Sequence, residues 1–297
     1  MPTISNQKTT MRPPIQTSKS KKGVLDRISP VGFDEDEGIK VLLYGQSGTG
    51  KTTLWSTFPS PILAIICSGG FRPGELRSVA TKENKSRIKQ VVLKESGEMK
   101  TLLDFLSGDG TKDFNTIVLD HVSGLQDLVL KEILGLDELP AQKSWGMARQ
   151  QDYGTCTQQC KEYLRGMLNL RQNIVIVGQE RTFGGKEDGL DPELVKPTVG
   201  VSVAPSLASW LNPSCDYVLQ TFKRPKVVVK QITAIKGQPP TEIRERGKGV
   251  DYCVRTEAHD VYTTKFRVPK GSPLPDVIVD ASYKKLISVI RGESAEE

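Results

Sequence analysis

Apolar runs along the chain repeatedly break off into glycine or polar residues at their carboxyl ends. Residues 39–44 form a β-branched, apolar strand that runs straight into Gly45, and residues 52–58 can continue as a helix until Pro59 stops it. A second strand is predicted at 61–67. A third apolar run, 116–120, ends in the carboxylate of Asp120, and a fourth, 173–178, is followed by Gln179, Glu180, Arg181 and Thr182. Between these two lies an amphipathic helix at about 154–170. There Cys156 and Cys160 are one turn apart and in phase with Leu164, Met167 and Leu168, which reads as a buried face rather than a ligand pair. From about residue 216 to 268 the pattern is β-rich, and a terminal helix is expected near 283–290. Strands alternating with helices predict an α/β fold with a mostly parallel central sheet flanked by helices, closed by C-terminal β-rich segments.

Composition narrows the class without naming a chemistry. With 297 residues, 37% hydrophobic and 26% charged, the chain can bury a full core. No stretch approaches the roughly 18 apolar residues of a membrane span, and the start lacks an apolar signal segment, so the expected location is the cytoplasm, bacterial or that of a phage host. Five cysteines in an odd set without C-x-x-C spacing, and two histidines, argue against structural zinc and against a disulfide framework.

The net charge of +6 is unevenly spread. Residues 1–37 read as a disordered basic arm, 38–292 as one domain and 293–297 as a flexible acidic tail. A second basic stretch contains Lys223, Arg224, Lys226, Lys230 and Lys236, with no carboxylate between Asp216 and Glu242. It is either a nucleic-acid face or a solvated hairpin edge guarded by lysine and proline. Trp145, between Lys143 and Arg149, and Phe183, near Arg181, are either base-stacking sites or core and loop anchors.

The sharpest chemistry lies in Gly45, Gln46, Ser47, Gly48, Thr49, Gly50, Lys51, Thr52 and Thr53, which satisfy the phosphate-loop pattern G-x-x-x-x-G-K-[ST] between a strand and a helix. Backbone N–H groups of such a loop turn inward around an anion, Lys51 reaches the β- and γ-phosphates, and the Thr52 hydroxyl serves Mg²⁺. The expected ligands are ATP and Mg²⁺. Asp120, at the end of its strand, fits the carboxylate that holds the ion through a water. His121 follows it where a catalytic glutamate often stands. Gln179 is placed to bond a γ-phosphate or orient water, or simply to open a polar loop.

Together these residues resemble the RecA-like P-loop ATPases, and most closely the AAA-domain nucleotide-binding proteins of bacteriophages and prophages. The likeness extends from about residue 38 to 292. It is carried also by Tyr44-Gly45, Thr52-Thr53-Leu54, Phe58-Pro59 and the segment Leu274-Pro275-Asp276-Val277-Ile278-Val279. The resemblance implies that Gln179 senses the γ-phosphate and begins a DNA-contacting loop, making Arg181, Phe183 and Lys186 contacts to single-stranded DNA. It also implies that Lys265 and Arg267, in a K-x-R element, complete the site of a neighbouring subunit in a homo-oligomer; the alternative is two residues on an exposed strand face. One departure stands out. The second strand ends Cys67-Ser68-Gly69-Gly70 where the family carries a water-activating glutamate, leaving Glu75 and Glu180 as substitutes. The readings that follow are an ATPase of phage-type DNA recombination or single-strand handling, a non-hydrolysing nucleotide-gated DNA-binding or scaffold protein, and, third, a small-molecule kinase.

Overall fold

The computed structural model describes residues 38–67, 75–136, 139, 148–184, 196–232 and 241–293, except for the side chains of 75, 109, 228–232 and 241–246. The basic arm, Ser68 to Gly70, Trp145, Lys186, Lys236, the side chains of Glu75 and Lys230, and residues 294–297 of the tail lie outside these. The described residues from 38 onward belong to one compact unit.

The apolar runs become the centre of a sheet. Strand β1 (Lys40–Gly45), β2 (Ile62–Ile66), β4 (Thr116–Asp120) and β5 (Asn173–Gly178) are buried along their whole length. That burial on both faces explains their continuous apolar sequence. With β3 (Ile88–Val92) they pair in parallel in the order β1-β5-β4-β2-β3, so β5 separates the strand before the phosphate loop from the strand ending in Asp120. On the other side of β1 lies β8 (Tyr217–Ile232), also parallel to it, followed by the antiparallel strands β9 (Thr241–Arg255) and β10 (Val277–Val279). This is the mostly parallel α/β sheet with C-terminal β segments that the sequence pattern predicts.

Helices cover both faces. On one side pack α3 (Glu98–Ser107), α4 (Val122–Ile133), α5 (Gln150–Leu168) and α6 (Pro205–Ser214), through residues such as Met99, Leu125, Leu164 and Leu207. On the other pack α1 (Lys51–Trp55) and α7 (Tyr283–Ile290), through Trp55, Leu286 and Val289. The short α2 (Asn84–Arg87) leads into β3. No helix of the described residues is long and apolar enough to cross a membrane.

Three expectations about boundaries are corrected. The helix after the phosphate loop stops at Trp55 rather than residue 58. Ser56 Oγ donates to Thr53 O at 2.8 Å and Thr57 Oγ1 to Leu54 O at 2.7 Å, so hydroxyls take carbonyls that a further turn would need. The helix expected at 154–170 begins at Gln150, because Arg149 N donates to Asp152 Oδ2 at 2.7 Å and starts it earlier; Cys156, Cys160, Leu164 and Met167 all face the core, whereas Leu168 is only half-buried. The polar cluster after residue 178 is itself a strand, β6 (Glu180–Phe183), paired with β7 (Thr198–Val201) in a two-stranded ribbon.

Candidate nucleotide site

The phosphate loop leaves the buried end of β1 between two tight constraints. A Cβ at Gly45 would stand 2.3 Å from Thr221 O and Thr221 Oγ1, and Gly50, at φ 91°, occupies the left-handed region just before Lys51. Only glycine meets both demands. Thr49 is buried and its Oγ1 donates to Gln46 O at 2.7 Å, while lying 2.7 Å from Thr221 Oγ1; this ties the loop to β8. Gln46, Ser47 and Gly48 remain exposed. Lys51 Nζ donates to Gly45 O at 2.8 Å and Gln46 O at 2.7 Å, so its ammonium rests on its own loop. Burial pulls its pKa below the usual lysine value, and the carboxylates of Asp120 and Glu180 act against that pull. Thr52 is half-buried beside it and Thr53 is exposed.

Asp120 is buried at the end of β4, with Trp55 Nε1 donating to its Oδ2 at 3.2 Å. Burial raises its pKa; the Trp55 hydrogen bond, His121 and Lys51 oppose the rise. The indole comes from α1, the helix that follows the phosphate loop, so one side chain locks the two halves of the site together. Nothing in the motif spacing announces this bond, although a lone tryptophan four residues after Lys51 is the visible trace of it. His121 Nδ1 accepts from Gly124 N at 2.9 Å and caps α4, a structural role. Cys67, at the end of the neighbouring strand, has its thiol pushed far up by burial and then by Asp120, so it stays protonated.

Gln179 follows the end of β5 with an exposed side chain, and its carbonyl accepts from Ser202 N at 2.7 Å. Glu180 is half-buried and accepts from Gln220 Nε2 at 3.3 Å, while Gln220 Oε1 is buried without a partner among the described residues. Its charge reaches Lys51, and it also raises the Tyr44 hydroxyl, which burial already pushes upward. Arg181 lies over the ring of Phe183, 5.2 Å from its centroid, so these two candidate DNA contacts pack on each other in β6.

The remaining basic residues separate into two groups. Lys223, Arg224 and Lys226 lie exposed on β8 beyond its last partner in β1. Lys265 and Arg267 lie on a segment beside the lower part of β8, with Lys265 bridged to Val218, itself level with Leu42 of β1. Lys265 Nζ donates to Pro213 O at 3.0 Å and to Cys215 O, at the end of α6, and Arg267 is exposed near Tyr217. The chain therefore brings Lys51, Asp120 and Glu180 together and leaves Lys265 and Arg267 away from its own loop.

Residues 37–268 match the AAA domain family model. The chain belongs to the AAA domain family. No curated protein sequence matches this AAA-domain protein significantly. Among solved structures it is similar to the flagellar accessory protein FlaH from Methanocaldococcus jannaschii, at 11% identity and TM-score 0.40, over 82% of this chain and 85% of that one. It is similar also to the RadB recombinase, at 18% identity and TM-score 0.37 over 74% and 88% of the two chains. A KaiC-like protein from Pyrococcus horikoshii OT3 gives 12% identity and TM-score 0.39 over 82% and 90%.

Proposed function

We propose that this AAA-domain protein binds ATP with Mg²⁺ and hydrolyses it, and that the cycle serves phage-type DNA recombination or single-strand handling. The observation that carries the reading is geometric: Lys51 rests on its own glycine loop at the carboxyl end of β1, and Trp55 of the helix that Lys51 begins holds the buried carboxylate of Asp120 at the end of β4. The donor set suits a hard divalent ion: a buried carboxylate with one oxygen fixed by Trp55, a threonine hydroxyl close by in sequence to the loop lysine, and a neighbouring thiol kept protonated by burial. Mg²⁺, when bound, neutralises charge on the β- and γ-oxygens.

The chain's own groups account for the rest. Loop N–H groups hold the phosphates, and Lys51 exchanges two carbonyl acceptors for anionic oxygens, a stronger charge-assisted bond. Glu180, steadied by Gln220, takes the proton of the attacking water in place of the missing strand-two glutamate. Gln179 senses the terminal phosphate and passes its state to the β6 ribbon carrying Arg181 and Phe183. Lys265 and Arg267, remote from their own loop, serve a neighbour's site in a homo-oligomer. A second reading, a nucleotide-gated switch without productive turnover, is favoured by Cys67 at the end of β2, where the family pattern leads into an acidic cluster.

ATP turnover measured with and without single-stranded DNA tests the proposal. Wild type is expected to show DNA-stimulated turnover, Lys51→Ala to lose nucleotide binding, and Glu180→Gln to keep binding while losing about 100-fold in rate. Wild-type ATP affinity in Lys51→Ala would reject the site. Binding without turnover in wild type would establish the switch, and DNA-independent turnover would remove the DNA role.

A further inference from the structure

Strand β8 spans 16 residues, but only Tyr217–Thr221 pair with β1. From Lys223 onward β8 and β9 leave the sheet as a two-stranded arm at its carboxyl edge, the edge that carries the phosphate loop. Strand alternation decides what that arm shows the loop. Tyr217 and Leu219 pack in the core cluster that holds α1, and Thr221 touches Thr49. Lys223 is the next residue on that face. Directly across the ladder from it is Tyr252, two residues before Val254, which also packs in the α1 cluster.

The arm crosses the loop at its two left-handed glycines. Lys223 Nζ lies 3.8 Å from the Cβ position of Gly48, and the Tyr252 ring stands 3.1 Å from that of Gly50 through Cδ1. The adjacent cross-strand pair behaves differently. Arg224 is neutralised by Asp251 at 3.5 Å, whereas no carboxylate of the described residues pairs with Lys223. The loop therefore has Lys51 resting on its Gly45 and Gln46 carbonyls and a second ammonium, with no carboxylate partner among the described residues, beside Gly48. Two cations at one glycine loop, Lys51 from its own helix and Lys223 from β8, match a polyanion with closely spaced charges.

We propose that the base of the β8-β9 arm, at Lys223 and Tyr252, is a lid in cis on the phosphate loop, with Lys223 binding the terminal phosphate of a nucleoside triphosphate and Tyr252 roofing the loop at Gly50. The inference rests on the nucleotide-binding reading and takes Lys223 out of the DNA-contacting set. Because the cation arrives on the same chain, triphosphate recognition by this group needs no neighbouring subunit. Lys265, by contrast, is held by the carbonyls at the end of α6, away from its own loop.

The test is the affinity of the full chain for a nonhydrolysable ATP analogue and for ADP, by calorimetry without DNA. Lys223→Ala is expected to weaken the analogue about ten-fold or more, and ADP much less, with partial recovery in Lys223→Arg. Tyr252→Ala should weaken both nucleotides, Tyr252→Phe should bind as wild type because the contact is made by the ring, and Lys248→Ala, which removes an equal charge from the same arm, should change neither. Lys223→Ala with wild-type affinity for the analogue overturns the lid, as does an equal loss for ATP analogue and ADP. Loss of single-stranded DNA binding alone in that variant returns Lys223 to a nucleic-acid face and also overturns it. Lys51→Ala measured in parallel separates the two levels: retained binding there rejects the nucleotide site itself, whereas lost binding there with normal binding in Lys223→Ala rejects only the lid. Both arm residues are exposed, and an unchanged thermal midpoint confirms that the variants fold.

Discussion

Asp120 stands where a charge is expensive. Its surroundings raise its pKa above 3.8, the Trp55 hydrogen bond offsetting only part of the burial. An acid with a raised folded-state pKa favours folding below its unfolded pKa and loses that contribution as pH rises through the folded value. Without nucleotide, ionising Asp120 is thus a cost to the fold. Asp120→Asn is expected to raise the melting temperature of the ligand-free protein by roughly 2 °C, equivalent to about 1 kcal/mol, with the gain shrinking as the pH is lowered towards the ordinary carboxylate range. Adding Mg²⁺ and ATP should reverse the order, stabilising wild type but not the variant. Calorimetric scans at several pH values, with and without ligand, check both halves. The place of this residue at the end of a buried strand was legible in the sequence because the apolar run 116–120 ends in aspartate. Its indole partner was not, because a hydrogen bond across 65 residues depends on how α1 lies against β4.

At the scale of elements, the parallel strands were readable because burial on both faces leaves long apolar runs. The helix ends were less so: at residues 56–57 hydroxyl groups compete with the backbone, and near residue 150 a capping contact begins the helix earlier than its apolar stripe. The arm was least readable. Its lysines suit a solvated edge equally well, and only the pairing of Lys223 with Tyr252 and the continuation of β8 from Thr221 aim one of them at the loop. Contact between elements also fixes residues that carry no chemistry. A Cβ at Gly124 would stand 1.6 Å from Cys67 O, so the first turn of α4 presses on the backbone at the end of β2. Gly124→Ala must push α4 away from the sheet just after Asp120. Expected are a loss of about 3 kcal/mol in urea unfolding and weaker ATP binding, whereas a loss below about 0.5 kcal/mol would show that the two backbones do not touch this closely.

Across the whole molecule, the strand that feeds the phosphate loop occupies the middle of the sheet, between β5 and β8. Lys40 N donates to Asp216 Oδ2, a bond spanning 176 residues, and Thr221 Oγ1 lies 2.7 Å from Thr49 Oγ1 of the loop. A fragment ending before Tyr217 would leave β1 with an open edge and Thr49 without its partner. It is expected to bind no ATP, which equilibrium dialysis of the purified fragment can check; wild-type binding by it would show that β8 is dispensable. The same arrangement has a consequence for synthesis. At about 5–20 residues per second, Asp216 leaves the ribosome roughly 10–35 s after Lys40. For most of that interval the glycine loop of Gly45–Thr53 is outside the ribosome without the strand that Thr49 touches, so a nascent chain presents the motif to the cell well before β8 can shape it.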